Sequence, residues 1–216
     1  MKSIILIAAP AAGKGTEAVR LKEQYNLPHI STGDLLRAAV AKGDERGNMI
    51  NELITNGKFV SDDIVLELLK EKILEPACEN GYILDGFPRN IAQAEAYDKI
   101  LEEIKRDIGI VIVLDIDKEI AKSRISGRYS CPKCGKVYNT NTNLKPVNEG
   151  LCDICNIELT RRSDDNPDTY EERYNTYLEK TEPLISYYDK KGIVYHVDAG
   201  VSSDETHKQV MAILGE

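Results

Sequence analysis

The strongest constraint on the fold is a short apolar segment near the start of the chain, residues 3–9 with the sequence SIILIAA. After its first residue it has no polar position, and this lack of alternation predicts a strand buried on both faces of a parallel sheet. Four further apolar runs follow the same pattern, at residues 28–30, 82–84, 108–114 and 193–197. Helical patterns separate the runs. Strands that alternate with helices predict an α/β fold, a five-stranded parallel sheet flanked by helices.

The helices between the runs can be placed by their apolar faces and breaking residues. Apolar residues along one face of 64–73 predict a helix that Ser61 or Asp62 would cap. Residues 168–188 predict a long, Tyr-rich helix that Pro183 kinks or restarts. Further helices are predicted at residues 16–25, 90–105 and 117–126.

Two segments interrupt this alternation of strands and helices. Residues 31–60 are helical but contain no strand of their own, whereas residues 127–162 contain four cysteines and the polar stretch NTNTN. Neither segment fits the core of a parallel sheet, so we interpret both as insertions. The core would then comprise residues 1–30, 61–126 and 163–216.

Length and charge limit the classes of protein to which this chain can belong. Its 216 residues are enough for one sizeable core with small insertions. A net charge of −8 disfavours a dedicated nucleic-acid binder, but a few converging Arg and Lys side chains could bind a small anion. No apolar run approaches the roughly 20 residues that span a bilayer. The start MKSIILIAAPAA imitates a secretory signal, but the glycine-rich segment after it favours a strand, so we expect a cytoplasmic protein without a membrane partner.

A glycine-rich segment, GKGT at residues 13–16, directly follows the first predicted strand. A helix N-terminus offers unpaired N–H groups and positive potential, and a neighbouring lysine adds a charge, so this segment predicts a phosphate-binding loop. A strict pattern has glycine in place of Ala8 and Ala11, and a hydroxyl directly after the lysine. Alanine is harmless at negative φ and costs roughly 1 kcal/mol at positive φ, so we expect the loop to close normally.

The segment YILDGFPRN brings a carboxylate and a guanidinium close together in sequence. Asp85 ends a predicted buried strand, at the carboxyl edge of the sheet where ligands of open α/β folds bind. Its carboxylate could hold a water of a magnesium ion, although a helix cap or turn remains the alternative. Arg89, four residues later, would point into the same crevice.

The cysteines form two close pairs, Cys131-x2-Cys134 and Cys152-x2-Cys155, with seventeen residues between the pairs. This spacing is typical of tetrahedral zinc, and four thiolates leave no open position, so the metal would be structural. Iron or an empty site are the alternatives. Cys78, the fifth cysteine, is expected to be a buried apolar residue.

Six motifs occur in order along nearly the whole chain: APAAGKGT, HISTGDLLR, GKFVSDDIV, LDGFPRNIAQAE, RISGR and RRSDDN. In sequence and spacing they resemble adenylate kinase, in the bacterial form with a zinc-binding lid. The resemblance implies a P-loop NTPase-like core, an AMP-binding insertion at residues 31–60 and a lid at residues 127–162. It also implies a monomer that transfers a phosphoryl group reversibly from MgATP to AMP, giving two ADP.

The resemblance further implies which residues carry each role. The ATP-binding residues would be Gly13, Lys14, Gly15, Thr16, Arg124, Arg128, Val137, Tyr138 and Val201. The AMP-binding residues would be Thr32, Arg37, Lys58, Phe59, Val60, Gly86, Arg89, Gln93, Arg162 and Arg173. The residues that act on the transferring group would be Lys14, Asp85, Arg89, Arg124, Arg128, Arg162 and Arg173.

Arginine suits this chemistry for reasons independent of the family. Phosphoryl transfer needs in-line positioning and positive charge rather than covalent help, and a guanidinium contacts phosphate through two parallel hydrogen bonds. One departure concerns the lid, where Tyr129 stands at a position that is a second arginine in many relatives. One lid charge is therefore absent.

Three rival functions remain at this point. Thr32 and Gln93 favour adenine, but a kinase for another nucleoside monophosphate has similar motifs. A zinc-ribbon module that binds nucleic acid would explain the cysteines, although the acidic chain lacks interleaved aromatic and basic residues. A GTPase-like switch would explain the loop, but the sequence contains no NKxD-type guanine motif.

Overall fold

The computed structural model describes residues 3–55, 60–161 and 165–215. Contacts within the chain divide it into two compact units. The first unit comprises Met1–Ile7, Ala18–Ile112 and Lys180–Tyr195. The second unit comprises Ala8–Glu17, Val113–Glu179 and His196–Glu216.

The strands confirm the predicted sheet. They are β1 Ile4–Ala8, β2 His29–Ser31, β3 Ile83–Asp85, β4 Ile110–Asp115, β5 Arg128–Ser130, β6 Val137–Asn139 and β7 Val194–Asp198. Five of them form one parallel sheet in the order β2-β3-β1-β4-β7. All five residues of β1 are buried, as its unbroken apolar sequence predicts. The remaining two, β5 and β6, pair antiparallel within the second predicted insertion.

The helices cover most of the remaining chain. They are α1 Lys14–Tyr25, α2 Thr32–Lys42, α3 Glu45–Thr55, α4 Asp62–Ile73, α5 Ile91–Glu103, α6 Lys118–Ser126, α7 Pro167–Thr176, α8 Pro183–Asp189 and α9 Ser203–Leu214. Ser61 takes the N-cap position of α4 but its side chain makes no capping hydrogen bond. The long helix predicted at 168–188 is divided by a π-helical turn, Tyr177–Thr181, and restarts at Pro183.

Strand register decides which side chains share the edge of the sheet. Both β1 and β2 pair in parallel with β3, and Asp85 lies opposite Leu6 on one side and Ser31 on the other. The residues that follow these strands therefore emerge at one edge, where parallel α/β sheets bind ligands. Among the described residues, no helix has the length and hydropathy that crossing a membrane requires.

Candidate active site

The loop between β1 and α1 has left-handed backbone at two positions. Gly13 has a φ of 100°, and no described atom lies within 4 Å of the place where a Cβ would stand, so glycine is needed there for its conformation. Ala11 has a φ of 64°, whereas Ala8 lies within β1 and is not among the positive-φ residues. Of the two alanines that replace glycine, only Ala11 therefore bears strain, of roughly 1 kcal/mol.

The helix that follows this loop begins at the predicted lysine. Lys14, Gly15 and Thr16 are the first three residues of α1, the positions at which an α-helix leaves its N–H groups without intrahelical partners. These amides and the helix dipole create positive potential for an anion. Glu17, one residue later, is buried and its carboxylate lies 2.8 Å from Nδ1 of His207 on α9, a contact that the sequence did not reveal.

In the first unit, three of the predicted AMP-binding residues meet at one backbone carbonyl. The Thr32 hydroxyl donates a hydrogen bond to the carbonyl of Gly86 at 2.7 Å, and Nε of Arg89 donates to the same oxygen at 2.8 Å. Gly86 has a φ of 80°, and a Cβ there would stand 3.3 Å from Nη2 of Arg89. Residues from the two motifs STGDLLR and DGFPR are thus brought together by the fold.

Gln93 joins this group through the backbone of Arg89. Its Oε1 accepts a hydrogen bond from the Arg89 amide at 2.7 Å, and its Nε2 donates to Oδ1 of Asp62 at 2.6 Å. The Gln93 residue is buried, whereas Asp62 lies in the exposed first turn of α4. Sequence reasoning identified Gln93 but considered Asp62 only as a helix cap.

Arg37, another predicted AMP-binding residue, pairs with a surface aspartate. Its guanidinium is 72% exposed and lies 2.6 Å from Oδ1 of Asp34, one turn earlier on α2. Burial alone would raise the pKa of Asp34, but hydrogen bonds from Ser31 and Arg37 lower it below the usual value. The Arg37 charge is therefore balanced by a surface carboxylate that a stronger anion could replace.

Asp85, at the carboxyl end of β3, contacts a histidine on the neighbouring strand. Its Oδ2 lies 3.2 Å from Nε2 of His29, and both side chains are only 16% exposed. His29 therefore makes a polar contact with the carboxylate proposed to hold a metal-bound water. Asp85 lies at the carboxyl end of β3, and its place in a crevice stays a prediction.

In the second unit, Arg124 is bound to a loop of backbone carbonyls. Its guanidinium donates to the carbonyl oxygens of Ala199 at 2.7 Å, Gly200 at 3.3 Å and Val201 at 2.8 Å. Burial lowers the pKa of Arg124, but a guanidinium stays charged at any working pH. The carbonyl of Val201, one of the predicted ATP-binding residues, thus accepts a hydrogen bond from Arg124.

Two further arginines of the second unit share one buried carboxylate. Nε of Arg128 donates to Oδ2 of Asp165 at 2.7 Å, and its Nη2 contacts the other oxygen, which makes the pair bidentate. Nη1 of Arg173 lies 3.9 Å from the same carboxylate, whose side chain is only 1% exposed. Asp165 belongs to the quoted motif RRSDDN, but sequence reasoning gave it no role. Arg162 of that motif, like Lys58 and Phe59, lies outside the described residues.

The four paired cysteines converge in the second predicted insertion. The Sγ atoms of Cys131, Cys134, Cys152 and Cys155 all lie within 4.8 Å of one another. The Cys134 and Cys152 sulfurs are 3.6 Å apart, close to the edge of about 3.8 Å that a tetrahedron with 2.3 Å metal–sulfur bonds requires. Backbone amides of Cys134 and Cys155 also donate to the sulfurs of Cys131 and Cys152. This arrangement can hold one tetrahedral metal ion.

Tyr138, predicted to contact nucleotide, lies inside the insertion beside this cysteine cluster. It is 2% exposed, its hydroxyl donates to Sγ of Cys152 at 3.5 Å, and the amide of Asp153 donates to that hydroxyl at 2.8 Å. Burial alone would raise the pKa of the Cys152 thiol, but hydrogen bonds from Tyr138 and from the Cys155 amide help to lower it to about 6. The Tyr138 side chain therefore favours the thiolate that a metal needs. The nearby Tyr129 ring instead lies 4.8 Å from the guanidinium of Arg161.

The first strand of the parallel sheet leads through a loop that contains Gly13 to a helix that begins at Lys14, and this arrangement is that of a P-loop NTPase-like fold. Comparison with known proteins narrows that class. The model of the family "Adenylate kinase" matches residues 6–193. The chain belongs to the adenylate kinase family.

Full-length relatives agree with this assignment. The adenylate kinase of Kosmotoga olearia is 44% identical over 208 residues, 96% of each chain. That of Thermotoga petrophila is 42% identical over 216 residues, 100% of this chain and 98% of the relative. That of Archaeoglobus fulgidus is 45% identical over 212 residues, 98% of this chain and 97% of the relative.

Proposed function

We propose that the chain catalyses the reversible transfer of the γ-phosphoryl group of MgATP to AMP, which gives two molecules of ADP. One observation carries the proposal, the convergence of Thr32 and Arg89 on the carbonyl of Gly86. This places a hydroxyl and a guanidinium from two separate motifs at one point, as recognition of a monophosphate needs. Membership of the adenylate kinase family, and the name shared by its relatives, support the same activity.

The two compact units separate the residues that each nucleotide would use. The described residues proposed for ATP fall in the second unit, together with Arg173: they are Gly13, Lys14, Gly15, Thr16, Arg124, Arg128, Val137, Tyr138 and Val201. Those proposed for AMP fall in the first unit except Arg173: they are Thr32, Arg37, Val60, Gly86, Arg89 and Gln93. We assign residues 1–30, 61–126 and 163–216 to the core, 31–60 to an AMP-binding segment and 127–162 to a lid.

The loop and the arginines would contact different parts of the phosphate groups. The first-turn amides of α1 and Lys14 would hold the β- and γ-phosphates. Arg128 and Arg173, with Arg162, would place positive charge on the oxygens of the transferring group. Arg128 and Arg173 share Asp165, so these two charges are fixed near each other before a nucleotide arrives. Such preorganisation lowers the cost of stabilising the transition state.

Two metal ions fit the residues of this chain. Magnesium bound with ATP would neutralise part of the phosphate charge, and Asp85 would hold one of its waters. Zinc is the metal proposed for the four cysteines, where it would stabilise the lid without taking part in the reaction. Within the lid, any nucleotide contact by Tyr138 would use its backbone, because its side chain packs against Cys152.

Closure of the lid and of the AMP-binding segment would exclude water, which competes with AMP as acceptor. The test is a coupled assay for ADP with MgATP and AMP, UMP, CMP or GMP as acceptor. We expect ADP to form in an AMP-dependent way, with little hydrolysis in the absence of an acceptor. A clear preference for another monophosphate would instead identify a different nucleoside monophosphate kinase, and no transfer to any acceptor would refute the proposal.

A further inference from the structure

We propose that Asp62 is a positioning residue that sets the base specificity of the AMP site, because it fixes the direction in which the Gln93 carboxamide points. The inference rests on the proposed function, in which Gln93 binds the adenine of AMP. Asp62 would act through the Gln93 side chain and need not contact the nucleotide itself.

The partners of Gln93 leave its carboxamide one orientation. The Arg89 amide lies 2.7 Å from Oε1, and a backbone N–H can only donate. The Asp62 carboxylate lies 2.6 Å from Nε2, and an ionised carboxylate can only accept. Rotating the carboxamide by half a turn would set N–H against N–H and oxygen against oxygen. Both hydrogen bonds would then be lost, which is costly because the Gln93 residue is buried and water cannot readily replace its partners.

Asp62 is itself held in place by the helix that carries Gln93. Its second oxygen, Oδ2, accepts a hydrogen bond of 3.3 Å from Nδ2 of Asn90. The Asn90 side chain in turn caps α5, since its Oδ1 accepts from the Gln93 amide at 2.8 Å. The first turn of α4 and the first turn of α5 are therefore tied together through Asp62, and the Gln93 side chain lies within this network.

The unused hydrogen-bonding capacity of Gln93 matches one type of purine. A carboxamide has two N–H donors and two acceptor lone pairs, and the bonds to Asp62 and Arg89 use one of each. Within the described chain no other group bonds to this carboxamide. One donor remains on Nε2 and one acceptor on Oε1, at positions that cannot exchange. A 6-aminopurine offers the complement, an acceptor at N1 and a donor at N6, whereas a 6-oxopurine offers the reverse pattern.

Fixing the carboxamide therefore discriminates between bases. For a base held in the same place, a 6-oxopurine would need the rotated carboxamide, which Asp62 and the Arg89 amide oppose. The substitution Asp62→Asn removes the part of this opposition that comes from Asp62, because an amide can either donate or accept. The Arg89 amide still opposes rotation, so the rotated carboxamide would lose one hydrogen bond instead of two. The first turn of α4 keeps its shape because the two side chains have nearly the same size.

The experiment compares AMP with IMP, a 6-oxopurine nucleotide that lacks the extra amino group of GMP. Ratios of kcat/KM for the two acceptors are measured for the unmodified chain, for Asp62→Asn and for the matched control Asp63→Asn. Asp63 carries the same charge in the same turn, but none of the described contacts joins it to Gln93. The ratio does not depend on the fraction of folded enzyme, so a loss of stability does not affect it.

We expect the preference for AMP over IMP to fall at least about tenfold in Asp62→Asn, the effect of one hydrogen bond to a charged group, and to stay unchanged in Asp63→Asn. An unchanged ratio in Asp62→Asn, or an equal fall in both variants, would overturn the inference.

Equilibrium binding of AMP and IMP to the same proteins separates this result from the proposed function. If no ADP forms but the binding preference falls only in Asp62→Asn, the proposed reaction fails and the role of Asp62 stands. If the unmodified chain binds both nucleotides equally, the role of Asp62 fails.

Discussion

The arginines of the two compact units differ in what holds them. In the first unit, Arg37 is 72% exposed and pairs with a surface aspartate, and the Arg89 guanidinium is bound through Nε to one backbone carbonyl. In the second unit, Arg124 donates to three carbonyls and Arg128 forms a bidentate pair with a buried carboxylate. The two arginines of the first unit can turn toward a ligand at little cost in free energy, whereas the two arginines of the second unit also stabilise the fold.

This contrast separates two kinds of effect that a substitution can have. Removing a loosely held arginine takes away a ligand contact and leaves the fold intact. Removing the partner of a firmly held arginine leaves a poorly solvated charge behind, so it affects stability as well as activity. Substitutions in the two units can therefore test the comparison through two separate measurements, the turnover number and the free energy of unfolding.

The largest expected effect is on turnover in the first unit. Arg89→Ala should lower kcat about 10³-fold, because an arginine that contacts the transferring group contributes at least that much. The midpoint of thermal unfolding should hardly change, since the exposed guanidinium bonds, among the described residues, only to the Gly86 carbonyl. Lys58→Ala is the control and should lose far less in kcat. Equal losses in the two variants would contradict the role given to Arg89.

A smaller effect, on stability, is expected in the second unit. Asp165→Asn should lower the free energy of unfolding by about 3 kcal/mol, because it leaves Arg128 without a counter-charge at a largely buried site. The side chains of this pair are 15% and 1% exposed. The matched control is Asp34→Asn, whose pair with Arg37 is 72% and 58% exposed and should cost less than about 1 kcal/mol. Similar losses in urea unfolding would show that burial does not distinguish the two pairs.

The cluster of four cysteines extends the comparison to a proposed metal site. Tyr138→Phe removes the hydroxyl that donates to Sγ of Cys152, and such outer hydrogen bonds change metal affinity about 10–100-fold. We expect a loss of zinc affinity at the low end of that range, measured by competition with a chromophoric chelator. Tyr129→Phe is the control, since Tyr129 packs against the same cluster and its ring faces Arg161. Equal losses in the two variants would rule out a specific role for the Tyr138 hydroxyl.

The sequence predicted the core of the fold because burial leaves a simple pattern. Unbroken apolar runs located all five strands of the main sheet, and residues such as Asn90 and Asp117 marked helix starts. The helix α9 was not predicted, because only Thr206, Val210 and Met211 of its twelve residues are buried. The lid strands β5 and β6 were also missed, since three residues are too few to show alternation.

The sequence predicted the residue types of the candidate site more completely than the contacts between them. Motif letters identified Thr32, Arg89 and the four cysteines, and the fold brings the members of each group together. The contacts of two carboxylates with these side chains were missed, because Asp62 and Asp165 lie 31 and 37 residues from Gln93 and Arg128. Neither backbone angles nor contacts over such separations can be read from single motifs.

The smallest expected effect concerns strain in the phosphate-binding loop. Ala11→Gly should raise the free energy of unfolding by about 0.5 kcal/mol, because relief of positive φ exceeds the added flexibility of the unfolded chain. Ala12→Gly is the matched control: Ala12 is buried and is not a positive-φ residue, so this variant should lose about 1 kcal/mol. Opposite signs in urea unfolding would locate the strain at Ala11.

ATP affinity should change less than tenfold in Ala11→Gly, because strain present before and after binding cancels. A gain of tenfold or more would show instead that the alanine distorts the free loop, and the second unit would then be less preorganised than its arginines suggest.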